Sequence, residues 1–269
     1  MTPLACAIMN KNLDLVKILI KNGANVNRQI LPITFGLFWH TPLTVAIRNA
    51  SLEIVKELVE NDANVNKHVA SFPDDNPESK GDDKVIETPL TLACQYDLYD
   101  IIEYLVEHGA DVNKPVMYSL VGDTSYTALS VAVKHENEKI ANYLISHGAN
   151  INAVIVEDEE NNTPLTIAVA ENKLTMMATL VMSGADVNQV VENSILQSTK
   201  TALTIATENN NVNIVEFLLK HGADVNKQVI YDGKQATALT IAKINNFKMI
   251  EQMLTNHTEP QKSRCCTIA

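Results

Sequence analysis

Apolar residues recur along this chain in short blocks that all open in the same way. Each block begins with Thr, then Pro or Ala, then Leu and a further apolar run, as in residues 163–168, which read TPLTIA. The opening Thr stands at positions 2, 41, 88, 127, 163, 201 and 237, so the intervals are 39, 47, 39, 36, 38 and 36 residues. Recurrence at such a period predicts a repeat protein rather than two ordinary globular domains.

Each block predicts two short helices. Thr suits the N-cap because its hydroxyl accepts a hydrogen bond from an unpaired helix N–H, and Pro fits the first helical position. A second helical pattern follows, for example Val212, Val215, Leu218 and Leu219. In five repeats it is followed by Gly, which adopts the left-handed conformation after a helix without steric cost. In the second repeat Asp62 takes this place, a less favourable choice.

The two linked motifs resemble those of the ankyrin repeat family. The matching residues are the Thr-Pro-Leu openings and the Gly-Ala-Asp-Val-Asn endings at 109–113, 184–188 and 222–226. The resemblance covers nearly all of residues 1–257 and implies an all-α repeat solenoid, an ankyrin array of seven helix-turn-helix repeats, followed by a flexible tail over residues 258–269. The family's usual His after Thr-Pro-Leu is Thr, Ser or Ala here. The hydrogen bonds of that His must therefore be made differently.

The repeats are longer than the ankyrin period of about 33 residues. The surplus lies between the Asn of one ending and the Thr of the next opening, in the segments called fingers in an ankyrin array. Residues 228–231 and 234–236 flank Asp232-Gly233, a strong hairpin-turn signal, and residues 114–126 pivot similarly at Gly122-Asp123. We therefore predict extended β-hairpin fingers that pair side by side into a sheet. The alternative is that the fingers are irregular loops.

Composition and charge exclude several classes of protein. The formal net charge of −11 argues against nucleic acid as a partner, because phosphate binding needs clustered Lys and Arg. No stretch reaches the roughly 18 apolar residues of a membrane span, and residues 1–10 lack the order of a signal peptide. The four cysteines match neither a disulfide framework nor a zinc pattern, so we expect a reducing, intracellular setting.

No catalytic constellation is present, and we predict a protein that is not an enzyme, with no cofactor and no metal. His108, His147 and His221 each precede a Gly and fit the C-terminus of a helix, where the dipole favours them. Cys6 and Cys94 fit small buried positions, where burial raises a thiol pKa. The acidic finger segments lack the spaced oxygen ligands of a calcium loop. An array that grips a cation through these fingers stays as an alternative, which calorimetry with calcium would test.

The resemblance implies that the inner helices and fingers line a concave binding face. Aromatic residues are only 5% of the chain, yet they concentrate in the first three fingers, and Tyr and Trp are enriched in interface hot spots. We predict that a partner protein binds a monomer of this chain through Phe35, Phe38, Trp39, Arg48, Phe72, Gln95, Tyr96, Tyr118, Tyr126, Lys134 and His135. The alternative is that Phe35, Phe38 and Trp39 form a small local core between neighbouring fingers.

The last four residues, 266–269, read CTIA and fit the C-a-a-X prenylation pattern. Cys265 is placed to take a second lipid, which matters because one lipid chain gives only marginal membrane binding. We predict peripheral membrane association through a lipid on Cys266. An accidental C-terminal Cys is the alternative.

These features favour a protein–protein interaction module tethered to a membrane. A protein that combines ankyrin repeats with a prenylation tail resembles the host-directed effectors of intracellular bacteria such as Legionella. This inference rests on analogy. The expected location is therefore the cytoplasm or a host cell into which the protein is secreted. A eukaryotic scaffold protein is one alternative. Another is the ankyrin targeting region of a larger enzyme, since residue 2 already opens a repeat with no polar capping unit before it.

Overall fold

The computed structural model describes residues 2–30, 38–67, 69–71, 85–118, 124–157, 160–193 and 196–258, with only the backbone of 38, 39, 69–71, 85, 86, 118 and 157. The chain divides into two compact units. The first comprises Met1–Asn150 and Ile155–Asp158, and the second comprises Ile151–Val154 and Glu159–Ala269.

The described residues contain fourteen helices, which form seven helix-turn-helix pairs and confirm the fold inferred from the repeat. In chain order α1 to α14 span Pro3–Met9, Leu13–Lys21, Pro42–Arg48, Leu52–Glu60, Pro89–Gln95, Tyr99–Glu107, Ala128–Lys134, Glu138–Ser146, Pro164–Ala170, Leu174–Met182, Ala202–Glu208, Val212–Lys220, Ala238–Ile244 and Lys248–Thr258. We call the odd-numbered helices inner and the even-numbered helices outer. In the first unit α1, α3, α5 and α7 pack in succession, and in the second unit α9, α11 and α13 do the same. No helix in the described parts of the chain is both long enough and apolar enough to cross a bilayer.

Thr–Thr pairs replace the missing His at the start of the inner helices. In α5 the Thr88 hydroxyl accepts from the Thr91 N–H at 3.1 Å, and the Thr91 hydroxyl accepts from the Thr88 N–H at 2.8 Å. The Thr91 hydroxyl also donates to the Thr88 carbonyl at 3.1 Å. This reciprocal capping box recurs in α3, α7, α9 and α11, with Ser130 in the second role in α7. The sequence therefore satisfies the helix start with hydroxyls.

The turn between the two helices of each repeat uses a left-handed residue that is never glycine. The residue nine positions after the opening Thr has a φ between 50° and 59° in all seven repeats, at Lys11, Ala50, Asp97, Glu136, Asn172, Asn210 and Asn246. Asn and Asp tolerate this conformation, whereas a β-carbon without a compensating polar group is strained in it. Ala50 is therefore a site of backbone strain.

We expect Ala50→Gly to raise the free energy of unfolding by about 0.5–1 kcal/mol, because relief of the left-handed strain exceeds the extra backbone entropy of Gly. Urea denaturation followed by circular dichroism measures the change. Asn210→Gly at the equivalent turn is the control and should alter stability much less. A destabilised Ala50→Gly variant would contradict this account.

Side-chain amides join the ends of successive repeats. Asn66 Nδ2 donates to the Gly109 carbonyl at 2.9 Å, and Asn66 Oδ1 accepts from the Asp111 N–H at 2.8 Å. The same two bonds run from Asn27 to Asp62 and Asn64, from Asn113 to Gly148 and Asn150, and from Asn188 to Gly222 and Asp224. These bonds give the recurring Asn of each ending a structural role between repeats.

The described parts of the fingers are strands paired in β-hairpins, as predicted, except in the first finger, where one strand is described. Strands β1 to β11 span Phe38–Trp39, Val69–Ser71, Val85–Glu87, Val116–Tyr118, Thr124–Tyr126, Ile155–Glu157, Glu160–Asn162, Val191–Asn193, Ser198–Lys200, Val229–Tyr231 and Lys234–Ala236. The β10–β11 hairpin turns at Asp232 and Gly233, both with positive φ. Strands β4 and β5 pair around the predicted pivot, although Gly122 and Asp123 themselves lie outside the described residues.

Some neighbouring fingers also pair side by side, whereas the third and sixth fingers each form a two-stranded sheet of their own. In the first unit β1 of the first finger pairs antiparallel with β2 of the second finger, which pairs with β3. In the second unit β7 pairs with β8, and β8 with β9. The last residue of each finger directly precedes the opening Thr of the next inner helix, and in the second finger this residue, Glu87, lies 2.7 Å from Arg48 at the end of α3.

Candidate functional site

The inner helices of the first unit end in a row of exposed or partly buried side chains. The residues seven and eight positions after the opening Thr are Met9 and Asn10, Arg48 and Asn49, Gln95 and Tyr96, and Lys134 and His135. The first residue of each pair is the last residue of its inner helix, and the second is the C-cap. Both therefore follow the buried apolar positions of that helix. Tyr96 is 48% exposed, which makes it the exposed aromatic side chain of this row among the described side chains.

Arg48 connects two repeats at this face. Its Nη2 lies 2.7 Å from Glu87 Oε2, in an ion pair, and its Nη1 donates to the Tyr96 hydroxyl at 3.2 Å. Glu87 is the last residue of the second finger and directly precedes the capping Thr88. The guanidinium is thus held by a carboxylate on one side and orients the exposed Tyr96 on the other.

The surroundings of Arg48 are partly desolvated. Burial raises the pKa of the Glu87 carboxyl, and the adjacent Arg48 partly opposes this rise. Burial, together with Arg48, lowers the pKa of His40 to about 4, so His40 is neutral at pH 7. His40 Nδ1 is buried and has no hydrogen-bond partner in the described part of the structure. Arg48 is therefore the cation that sets the charge of this cluster.

The row extends to the fourth repeat through Asp97. Asn137 Nδ2 donates to Asp97 Oδ1 at 3.1 Å, and His135 Nδ1 lies 3.8 Å from Asp97 Oδ2. Beside it, on the turns of the second and third repeats, is an open groove of about 330 Å³ lined by Ala50, Leu52, Asp97, Leu98, Tyr99, Asp100 and Ile101. The groove therefore begins at Asp97, the residue that follows Tyr96 in the sequence.

The predicted site residues differ in exposure, and the structure does not describe all of them. The structure brings Arg48 and Tyr96 together, exposes His135, and leaves Gln95, Tyr126 and Lys134 partly buried. Phe35 and Phe72 lie outside the described residues, and Phe38, Trp39 and Tyr118 are described by backbone alone. The choice between a binding surface and a local aromatic core at Phe35, Phe38 and Trp39 therefore stays open.

Sequence reasoning missed Glu87, the anchor of Arg48. The two residues are 39 positions apart, and neither belongs to a recurring motif. A signal was present, because the residue before each opening Thr varies while the Thr itself does not, and in this finger the residue is charged.

The second unit carries different chemistry at the equivalent place. Glu208 occupies the register position of Arg48 and lies 4.0 Å from Lys200 Nζ, which is also 3.9 Å from Glu160. Asn193 Nδ2 donates to Glu160 at 2.7 Å. Burial raises the pKa of Glu208, Lys200 partly opposes this rise and Glu160 adds to it. The two units therefore present opposite charges at one register position.

The other candidate residues have structural surroundings. Cys94 is fully buried, and burial raises the pKa of its thiol well above the usual range. His108 Nδ1 lies 2.7 Å from the Tyr104 carbonyl at the end of α6, and its ring stacks on Tyr104 with centroids 3.9 Å apart. Among the described residues no group of three or more His, Cys, Asp or Glu is placed to hold a metal ion. Cys265 and Cys266 lie outside the described residues.

Comparisons with known proteins agree on the repeat. A family model described as "Ankyrin repeats (3 copies)" matches residues 1–69, 38–116, 116–191 and 190–264. The fold is similar to the ankyrin repeat domain of Bcl-3, a member of the IkappaB protein family, with a TM-score of 0.68 and 23% identity over 95% of this chain and 98% of that chain. It is also similar to the human ASB11 ankyrin repeat domain, with a TM-score of 0.62 and 24% identity over 97% of this chain and 99% of that chain. No curated protein sequence matches.

Proposed function

Because this chain belongs to the ankyrin repeat family, we propose that it binds a partner protein. The proposed surface consists of the inner-helix ends and the finger bases of its first unit. Ankyrin arrays generally mediate protein–protein interaction through surfaces of this kind. The proposed centre of the site is the Arg48–Tyr96 pair, with Glu87 holding Arg48 in place. We propose that the protein acts by binding and not by catalysis.

The observation that carries this proposal is the orientation of an exposed aromatic ring by an anchored cation. Tyr96 is 48% exposed, and its hydroxyl is held by Arg48, which is itself paired with Glu87. Tyr and Arg are, with Trp, the residue types enriched in interface hot spots. A side chain that is already fixed in the free protein loses less conformational entropy on binding. The pair is thus suited to anchor a partner.

We expect Tyr96→Ala to weaken partner binding by about 2 kcal/mol, roughly thirtyfold in Kd. The partner is first identified by affinity capture from cell extract with the wild-type chain, and Kd is then measured by calorimetry for wild type, Tyr96→Ala and Trp39→Ala. Lys56→Ala, an exposed cation on the outer helix α4, is the control and should bind as wild type does. Unchanged affinity in a folded Tyr96→Ala protein would refute the proposed site.

The tail and the host-directed role belong to the same proposal. The sequence of residues 266–269 supports prenylation of Cys266, and Cys265 supplies a second acylation site, which together would tether the bound partner at a membrane. The role as a bacterial effector rests on analogy with other ankyrin proteins. Intact mass after expression in a eukaryotic cell tests the tail directly, and an unmodified C-terminus would remove the membrane from the proposal.

A further inference from the structure

Side-chain hydrogen bonds join the turns of some successive repeats. The left-handed residue nine positions after one opening Thr accepts from an Asn that lies ten positions after the next opening Thr. In this way Asn137 Nδ2 donates to Asp97 Oδ1 at 3.1 Å, and Asn211 Nδ2 donates to Asn172 Oδ1 at 2.6 Å. Each donor Asn also caps its own outer helix, because its Oδ1 accepts from a backbone N–H of the first turn. An Asn at this position therefore connects two turns and begins a helix.

The second and third repeats lack this connection, and the open groove on their turns lies in its place. The two positions hold Ala50 and Leu98, whose side chains carry no polar group and cannot form the bond. Both side chains line the groove, whose other lining residues are Leu52, Asp97, Tyr99, Asp100 and Ile101. Ala50 is exposed, and Leu52 and Leu98 are only partly buried, so apolar surface is accessible there. We call this groove the turn groove.

The size of the turn groove suits a side chain of a bound protein. Its volume of about 330 Å³ is at the lower end of the roughly 300–1,000 Å³ that is usual for ligand pockets. It therefore has room for one aliphatic side chain and part of the backbone that carries it. Burial of such a side chain against Ala50, Leu52 and Leu98 removes apolar surface from water on both partners, which favours binding.

The polar side chains of the turn groove favour a cation. Asp97 and Asp100 are exposed carboxylates. The Lys139 ammonium lies 3.3 Å from the centroid of the Tyr99 ring, and in the described part of the chain no ion pair joins it to either carboxylate. His135 Nδ1 lies 3.8 Å from Asp97 Oδ2 but is charged only when protonated. A Lys or Arg of a bound segment therefore meets two carboxylates that pair with no Lys or Arg of the described residues.

We propose that the turn groove binds an aliphatic side chain of the partner protein, and that a Lys or Arg next to it in the same segment pairs with Asp97 and Asp100. This inference rests on the proposed function and adds the chemistry of the partner segment to it. The groove is continuous with the proposed site, because Asp97 directly follows the exposed Tyr96. A segment that contacts Tyr96 can therefore reach the groove with its neighbouring residues.

Small probes test the groove without the partner. Leucinamide carries an aliphatic side chain and an ammonium group, N-acetylleucinamide lacks the charge, and glycinamide lacks the side chain. In two-dimensional NMR spectra of the full chain, leucinamide should shift the amide signals of Asp97, Leu98 and Asp100 with a Kd on the order of millimolar. N-acetylleucinamide should bind about threefold more weakly, and glycinamide should cause no saturable shift. No leucinamide shift, or equal binding by either other probe, would overturn the proposal.

A double substitution tests the role of the missing hydrogen bond. Ala50→Asn combined with Leu98→Asn recreates the pair formed by Asn172 and Asn211, so the protein should stay folded while amides occupy the groove. Leucinamide should then bind at least about tenfold more weakly. The control is Glu136→Asn, which places Asn at the left-handed position of the fourth repeat, outside the groove. Circular dichroism checks that each variant is folded, and unchanged leucinamide binding by the double variant would contradict the inference.

The captured partner separates this inference from the proposed function. The double variant should weaken partner binding by at least about tenfold, and Asp100→Asn by about threefold, as for an exposed ion pair. Asp14→Asn at the same register position of the first repeat should bind as wild type does. If Tyr96→Ala weakens binding and the double variant does not, the groove proposal fails and the proposed function stands. If only the double variant weakens binding, the Tyr96 site fails and the groove stands.

Discussion

Leu105→Ala is expected to lower the free energy of unfolding of the first unit by about 2–5 kcal/mol, because the substitution removes buried methyl groups and leaves a cavity. Leu105 is fully buried in α6, which packs against α4 and α5. Five other repeats bury a Leu completely at the same register position. Helices of nine residues have little stability of their own, so packing at this position determines whether the outer helix forms. Urea denaturation followed by far-ultraviolet circular dichroism measures the loss.

The chain supplies a matched control for this prediction. Leu19→Ala makes the same change at the same register position of the first repeat, where the side chain is only partly buried. Its cost should be less than about 1.5 kcal/mol, because little cavity is left. Equal costs at Leu19 and Leu105 would show that local helix propensity, and not burial, governs stability here.

Thr91→Val is expected to destabilise the first unit by about 1–3 kcal/mol, although Val has almost the shape of Thr. The Thr91 hydroxyl is the acceptor for the Thr88 N–H, and both residues are buried. Val leaves this N–H without a partner and without water, so the full desolvation penalty applies. The loss should appear as a lower urea midpoint with an unchanged denaturant dependence.

The seventh repeat provides the corresponding control. In α13 the N-cap Thr237 accepts from the Thr240 N–H, but Thr240 is exposed and its hydroxyl does not accept in return from the Thr237 N–H. Thr240→Val should therefore change stability by less than about 0.5 kcal/mol. A large loss of stability at Thr240, or no loss at Thr91, would show that the capping box does not stabilise the inner helices.

The local motifs of the sequence predicted most of the fold. Thr at the N-cap and Pro at the first helical position define where α3 and α5 begin, because these residues act through bonds to their own backbone. Asp232-Gly233 likewise defined a hairpin turn, since both residues adopt positive φ there. Such signals depend on three or four neighbouring residues, and a single sequence contains them in full.

The site was harder to predict because it depends on contacts between repeats. Arg48 and Tyr96 were identified as variable residues at equivalent positions, but their hydrogen bond crosses 48 residues of sequence. The anchoring Glu87 follows from the register of the second finger, the longest in the chain, which no local motif specifies.

The Asn bridges between repeat endings have a consequence for how this protein can change. Each bridge, such as Asn66 to Gly109 and Asp111, connects two endings directly and makes no use of the finger between them. Repeat spacing is thus set without reference to finger length, and each doubling of a loop's length costs only about 0.6 kcal/mol. A lineage can therefore lengthen or exchange one finger to follow a changing partner while the helical framework stays as it is.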